Sequence, residues 1–124
     1  MKHKSKFFAI IIIAFFLING SSFAQDAVKA DPKHYKVEFE NDQVRVLRVA
    51  YGLSEKSVMH EHPNAVAVFL TDIQNKFTFP DGKSVLANSK AGTAMWTPGG
   101  KHLPENLGKK PFELILVELK SPKK

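Results

Sequence analysis

The 124-residue chain contains no cysteine, and this absence excludes two kinds of structural support. No disulfide bond can form, and no lipid can be attached to a cysteine at the start of a processed chain. A domain of this size must therefore be held together by side-chain packing alone. A closed or sandwiched β-sheet meets that requirement.

Long hydrophobic runs are also scarce. The one clear example spans residues 7–18, which is shorter than the roughly 20 residues that a membrane-spanning helix needs. Basic residues precede it and small residues follow it, as is typical of a secretory signal peptide. We therefore predict a signal peptide over residues 1–24, cleaved after Ala24, and an exported protein that is periplasmic or secreted. An uncleaved anchor is the alternative.

The excess of positive charge is modest once this segment is set aside. Lys and Arg number 18 against 12 Asp and Glu, which gives a net charge of +6. Three of these lysines precede the apolar run, so the processed chain would carry 15 basic and 12 acidic residues, a net charge of +3. The composition gives no support for nucleic-acid binding. No membrane association is expected after cleavage.

Helical periodicity is absent after residue 24, where no segment keeps a helical apolar spacing over three turns. Short stretches instead alternate apolar and polar residues, as half-buried strands do, and Pro-Asp-Gly and Pro-Gly-Gly turns separate them. Within residues 43–51 the alternation changes phase between Val46 and Leu47, which predicts a β-bulge. Six to eight strands predict an all-β fold, a small antiparallel barrel or sandwich.

The chain is expected to form a single domain with short flanking segments. We predict a flexible leader over residues 25–34, where charged and small residues mix with a proline. The β-domain is expected over residues 35–120. A basic tail, residues 121–124, follows it.

The histidines give the strongest indication of function. His60 and His62 are two residues apart, so on a strand they face the same side, about 6.6 Å apart along the backbone. Two such imidazoles can bind one ion, and a third ligand must come from another strand. His102, which follows the Gly99-Gly100 turn, is the candidate. The alternative is a set of solvated or hydrogen-bonded rings without an ion.

These residues resemble the two sequence motifs of the cupin superfamily. Its first motif runs Gly, a short spacer, His-x-His, three or four residues, Glu, six residues and Gly; here Gly52 precedes His60 and His62 by a seven-residue spacer. Its second motif runs Gly, five residues, Pro-x-Gly, two residues, His, three residues and Asn. The matching residues here are Gly92, Pro98, Gly100, His102 and Asn106, with one residue instead of two before the histidine. The resemblance covers about residues 35–120 and implies a cupin-type, double-stranded β-helix barrel that is open at one end.

The same resemblance implies that His60, His62 and His102 are metal ligands. The family's glutamate ligand would fall at Val66 or Ala67, and neither side chain can bind a metal. Three imidazoles still suit a divalent transition metal, which the resemblance implies is Fe, Zn, Ni, Cu or Mn. An oxygenase or isomerase type of enzyme would follow, acting on a small-molecule substrate. No general base is visible, so the reaction stays open.

Two further functions fit the sequence. One is a metal-free module that binds a carbohydrate or a small carboxylate in the barrel mouth. The other is an interaction protein that forms a homodimer through an exposed strand edge.

Five other residues carry expectations of their own. Glu61 is expected to face outward, because it lies between two inward residues. We expect His34 at the surface, Trp96 in the core or, alternatively, in the wall of the pocket, and Asn106 as a loop-capping side chain. Glu113 either faces solvent at a sheet edge or reaches the pocket.

Overall fold

The computed structural model describes residues 25–122, so the predicted signal peptide and its cleavage site lie outside the described residues. The described chain is almost entirely antiparallel β-structure, which confirms the predicted fold class. Its elements are α1 (Ala27–Ala30), β1 (Tyr35–Glu40), β2 (Val44–Tyr51), β3 (His60–His62), β4 (Ala65–Phe69), β5 (Ile73–Thr78), β6 (Ser84–Ser89), β7 (Ala94–Thr97), β8 (Gly100–Asn106) and β9 (Phe112–Leu119). Within residues 25–122, no helix has the length and apolar character needed to cross a membrane.

Two sheets enclose the core. One has the strand order β1-β2-β9-β4-β7 and the other β3-β8-β5-β6. Paired residues on neighbouring strands face the same side, so Leu47, Leu116 and Ala67, which pair in register, form a continuous buried row. Tyr35 on β1 contacts His60 on β3 with ring centroids 4.8 Å apart. The core therefore lies between the sheets, and the histidine-bearing strands form one of its walls.

The pairing of β1 with β2 contains a β-bulge, and the extra residue belongs to β1. β1 and β2 pair Val37 with Leu47 and then Phe39 with Val46, so the extra residue, Glu38, belongs to β1. β2 itself pairs with β9 without a shift. The bulge predicted within residues 43–51 is therefore on the opposite strand. The sequence suggested otherwise because β2 carries apolar residues on both faces, and this imitates a change of phase.

Residues 25–34 pack against the barrel, which differs from the flexible leader predicted for them. They form α1 and the turn that leads into β1, and Ala27 is 0% exposed. His34, which we expected at the surface, is buried as well and stacks on Tyr51 with ring centroids 4.1 Å apart. The expectation for His34 was wrong because its two ring nitrogens have partners, Asp31 and Glu55. Those partners allow a polar ring to be buried.

Trp96 is exposed, whereas we expected it in the core. It pairs with Val66 on β4 and shares the outward face of that strand, since Ala65 and Ala67 face the core. Half of its surface, 50%, is exposed. The apolar character of β7 thus does not indicate burial, because β7 is an edge strand of its sheet.

Candidate metal centre

The three predicted histidines lie together on two paired strands. His60 and His102 are direct partners in the β3–β8 ladder, and His62 pairs with Gly100 two residues away. His60 and His62 are buried, whereas Glu61 between them is exposed, as the pleat requires. The outward orientation predicted for Glu61 is confirmed. His102 is partly buried.

The three rings form a compact triangle. Ring centroids are separated by 4.7 Å for His60 and His62, 4.9 Å for His60 and His102, and 5.2 Å for His62 and His102. One ring nitrogen of each residue lies within 4.8 Å of the other two. Nitrogens that bind one ion at about 2.1 Å are about 3.4 Å apart in a tetrahedral arrangement. A convergence of about an ångström would therefore bring all three onto a common ion.

Two of these rings carry a nitrogen with no partner. In the part of the chain that the structure describes, the Nε2 atoms of His60 and His102 are buried and make no hydrogen bond. A buried polar atom without a partner costs about 1–3 kcal/mol. A cation between the rings would satisfy both atoms at once, so the donor set fits a metal ion.

The other nitrogen of His60 and of His62 is anchored. His60 Nδ1 donates to the carbonyl oxygen of Val58 at 2.8 Å, and His62 Nδ1 donates to Glu118 Oε2 at 2.6 Å. A ring that donates through Nδ1 keeps the Nε2 lone pair free, and such a partner is the usual companion of a metal-binding histidine. Both rings are thus held with Nε2 available as a ligand.

Glu118 is a residue of the site that the sequence analysis missed. It is 1% exposed, and its second oxygen accepts a hydrogen bond from Arg45 Nε at 2.7 Å. One signal could have found it. Phe112, Leu114, Leu116 and Glu118 lie two residues apart and therefore share one face of β9, and a carboxylate on an apolar inward face needs a buried partner.

Burial keeps His60 and His102 neutral. It lowers the pKa of His102 from its usual 6.5 to about 3, and repulsion within the cluster, first with His62 and then with His60, acts in the same direction. Burial and the charge of His62 likewise lower the pKa of His60 to about 4. An imidazole must be neutral to bind a metal, so these two rings are ready to do so over a wide pH range.

Aromatic rings surround the triangle. Phe77 on β5 stacks on His102 with centroids 5.0 Å apart and planes 26° apart. Tyr35 borders His60, and its hydroxyl is 2.7 Å from that of Tyr51. His102 and His60 therefore each have an aromatic ring packed against them.

Asn106 and Glu113 are the remaining residues for which the sequence analysis gave an expectation. Asn106 is buried and donates to the carbonyl oxygens of Gly52 and Lys110, while its own oxygen accepts from the Gly108 N–H, so the loop-capping role is confirmed. Glu113 lies outside the site, 3.7 Å from Arg48, with about half of its side chain exposed.

Tyr51 lines a separate cavity of about 470 Å³. His34, Glu55, Pro111 and Phe112 are among its lining residues, and none of the three clustered histidines is. The chemistry of the triangle therefore does not belong to this cavity.

Comparison with known proteins identifies the fold. No protein-family model and no curated protein sequence matches the chain. Among solved structures, a cupin domain from Bordetella pertussis is similar with a TM-score of 0.65 and 24% identity, over 70% of this chain and 92% of that one. An RmlC-like cupin family protein with a double-stranded β-helix fold from Methanocaldococcus jannaschii is similar with a TM-score of 0.54 and 19% identity, over 72% and 83% of the two chains.

A third similar structure is a cupin superfamily protein from Desulfitobacterium hafniense, with a TM-score of 0.51 and 16% identity, over 70% of this chain and 76% of that one. The chain therefore has the cupin fold, the double-stranded β-helix. It places a triangle of three histidines on two paired strands of that fold.

Proposed function

We propose that this is an exported cupin-fold protein that binds one divalent transition metal through His60, His62 and His102. The observation that carries the proposal is the pair of buried Nε2 atoms without partners, on rings that converge within 4.8 Å. The composition of residues 1–24 supports export.

The charges around the site favour a particular kind of ligand for the metal. The three donors are neutral, and the negative charge of Glu118 is already paired with Arg45. No carboxylate occupies positions 66 and 67, which are Val66 and Ala67. A bound divalent ion would therefore keep its charge uncompensated by protein ligands and would favour an anionic or strongly polar donor at its free positions.

A bound metal would supply Lewis-acid chemistry, since it polarises or activates the group at its open position. The residues of the chain would contribute orientation and exclusion of water. Glu118 and the Val58 carbonyl fix two rings, and Phe77 and Tyr35 shield the triangle. A small molecule with one polar donor and an apolar body fits such a setting. The reaction that we propose for such an enzyme is of the oxygenase or isomerase type.

Elemental analysis tests the proposal directly. Protein purified after supplementation with Fe, Zn, Ni, Cu and Mn salts should contain about one equivalent of a transition metal, and His60→Ala should lose most of it. Glu61→Ala is the matched control, because Glu61 lies on the same strand and faces outward.

Two results would contradict the metal site. One is a metal content below about a tenth of an equivalent in the wild-type protein. The other is an equal loss of metal from the Glu61→Ala and His60→Ala variants. The protein would then be better described as a metal-free binding module or a dimeric interaction protein.

A further inference from the structure

The segment of residues 25–34 is connected to the histidine triangle through hydrogen bonds and ion pairs of intermediate residues. Two aspartates flank α1: Asp26 precedes it and Asp31 follows it. Each aspartate begins a chain of hydrogen bonds that ends on a different histidine of the site. The two chains meet no common residue on the way.

The first chain runs from Asp26 to His62. Asp26 forms an ion pair with the guanidinium group of Arg45, and Arg45 Nε donates to Glu118 Oε1 at 2.7 Å. The other oxygen of Glu118 accepts from His62 Nδ1 at 2.6 Å. Arg45 and Asp26 are only partly exposed, with side-chain exposures of 19% and 28%. Solvent therefore screens this ion pair less than one at the open surface.

The second chain runs from Asp31 to His60. Ser57 Oγ donates to Asp31 Oδ2 at 2.6 Å, which leaves the serine oxygen free to accept. His60 Nδ1 lies 3.2 Å from that oxygen and also donates to the Val58 carbonyl. Asp31 thus fixes the serine that borders the His60 ring.

The backbone adds a third connection. The N–H of Glu61, between the two strand histidines, donates to the carbonyl oxygen of Gln25 at 3.0 Å. Asp26 and Glu61 form a parallel β-bridge, and Ala27 is fully buried beside them. The short strand β3 is therefore held by β8 on one side and by the N-terminal segment on the other.

We propose that the N-terminal segment is part of the metal centre, and that Asp26 and Asp31 are positioning residues for His62 and His60. This inference rests on the proposed metal-binding function. The segment holds Nε2 of each ring toward the third histidine, so it raises metal affinity without contacting the metal. Since Gln25 would be the first residue after the predicted cleavage, the processed N-terminus would itself complete the site.

The test compares cobalt affinity among single substitutions in the full chain, with Co²⁺ alone as the probe. Loss of an outer partner of a metal-binding histidine typically lowers affinity 10–100-fold, so we expect that range for Glu118→Gln. Asp26→Asn is two interactions further from the ring and should lower affinity by about threefold to tenfold. Ser57→Ala should give a similar loss through His60, and it avoids the wider disturbance of replacing Asp31.

Glu38→Gln is the matched control. Glu38 pairs with Arg48 on β2, the same strand that carries Arg45, but this pair faces outward with side chains about 40% exposed. Its removal should leave cobalt affinity unchanged. A double substitution of Asp26 and Glu118 should cost less than the sum of the two single losses, because both act through one chain.

A second measurement does not depend on metal. In the ¹⁵N NMR spectrum of the metal-free protein, the His62 Nδ1–H signal should shift in Asp26→Asn and stay in place in Glu38→Gln. The inference is overturned if Asp26→Asn and Ser57→Ala leave both cobalt affinity and the ring signals at wild-type values. If the wild-type protein binds no cobalt, the proposed function fails, and the ring signals alone decide whether the segment positions the histidines.

Discussion

Acidification should destabilise the metal-free protein over a pH range that the pKa values of His60 and His102 determine. The pKa of His60 falls from its usual 6.5 in the unfolded chain to about 4 in the fold. The unfolded state therefore binds more protons than the folded state below pH 6.5, so stability is full above that pH and is lost as pH falls toward 4.

The expected loss can be worked out from this shift. Each pH unit between the two pKa values changes the free energy of unfolding by about 1.4 kcal/mol, so the 1.5 units from 6.5 to 5 correspond to about 2 kcal/mol from His60 alone. His102 contributes with the same sign, because its pKa is lowered to about 3. The carboxylates whose pKa values are lowered, such as Glu55 at about 2, lose their contribution only at lower pH. The histidine effect is therefore separable between pH 6.5 and 5.

Urea denaturation of metal-free protein at pH 7 and pH 5 measures this difference. The free energy of unfolding should fall by about 2 kcal/mol or more, and His60→Asn should remove about that much of the pH dependence whatever its own stability. Glu61→Gln, on the exposed face of the same strand, should keep the wild-type pH dependence. Equal stability of the wild-type protein at both pH values would show that burial does not hold these rings neutral.

Three further predictions concern the fold. Leu47→Ala should lower the free energy of unfolding by about 2–5 kcal/mol because Leu47 is fully buried, whereas Leu86→Ala, at a 74% exposed site, should stay within about 0.5 kcal/mol; equal losses in urea titrations would contradict the core assignment. Asn106→Ala should cost about 2–3 kcal/mol, since it removes three hydrogen bonds to loop backbone, and hydrogen exchange at Gly108 should accelerate; unchanged exchange would show that the cap is dispensable. The fluorescence of Trp96, the single tryptophan, should be red-shifted and readily quenched by iodide, and a blue-shifted, unquenched spectrum would place it in a core.

The parts of the fold that sequence alone predicted are those set by local pattern. The pairing of His60 and His62 on one strand face follows from the period of two, and the Pro-Asp-Gly turn does join β5 to β6. His102 was a candidate third ligand because it follows a Gly-Gly turn on another strand, and the resemblance to the cupin motifs then implied that it binds the metal. In the structure, His102 lies beside His60 because the two residues pair directly in the β3–β8 ladder.

The parts that sequence missed depend on contacts between distant segments. Glu118 meets His62 across 56 residues of chain, and Arg45 meets Glu118 across 73. The segment of residues 25–34 looked like a leader because it is polar, yet Asp26, Asp31 and His34 bind barrel residues and Ala27 packs in the core. Trp96 was expected in the core because it is apolar, but it is exposed because β7 is an edge strand. The alternation of a strand can show that a polar residue faces inward, as for Glu118, but it does not show which distant residue is its partner.

The proposed metal site requires three imidazoles from two paired strands to bind one ion. Diffraction data from metal-soaked crystals, collected at the absorption edge of the added metal, locate such an ion. We expect one anomalous peak about 2.0–2.1 Å from the Nε2 atoms of His60, His62 and His102. An anomalous map with no peak inside this triangle, while metal appears at other residues, would contradict it.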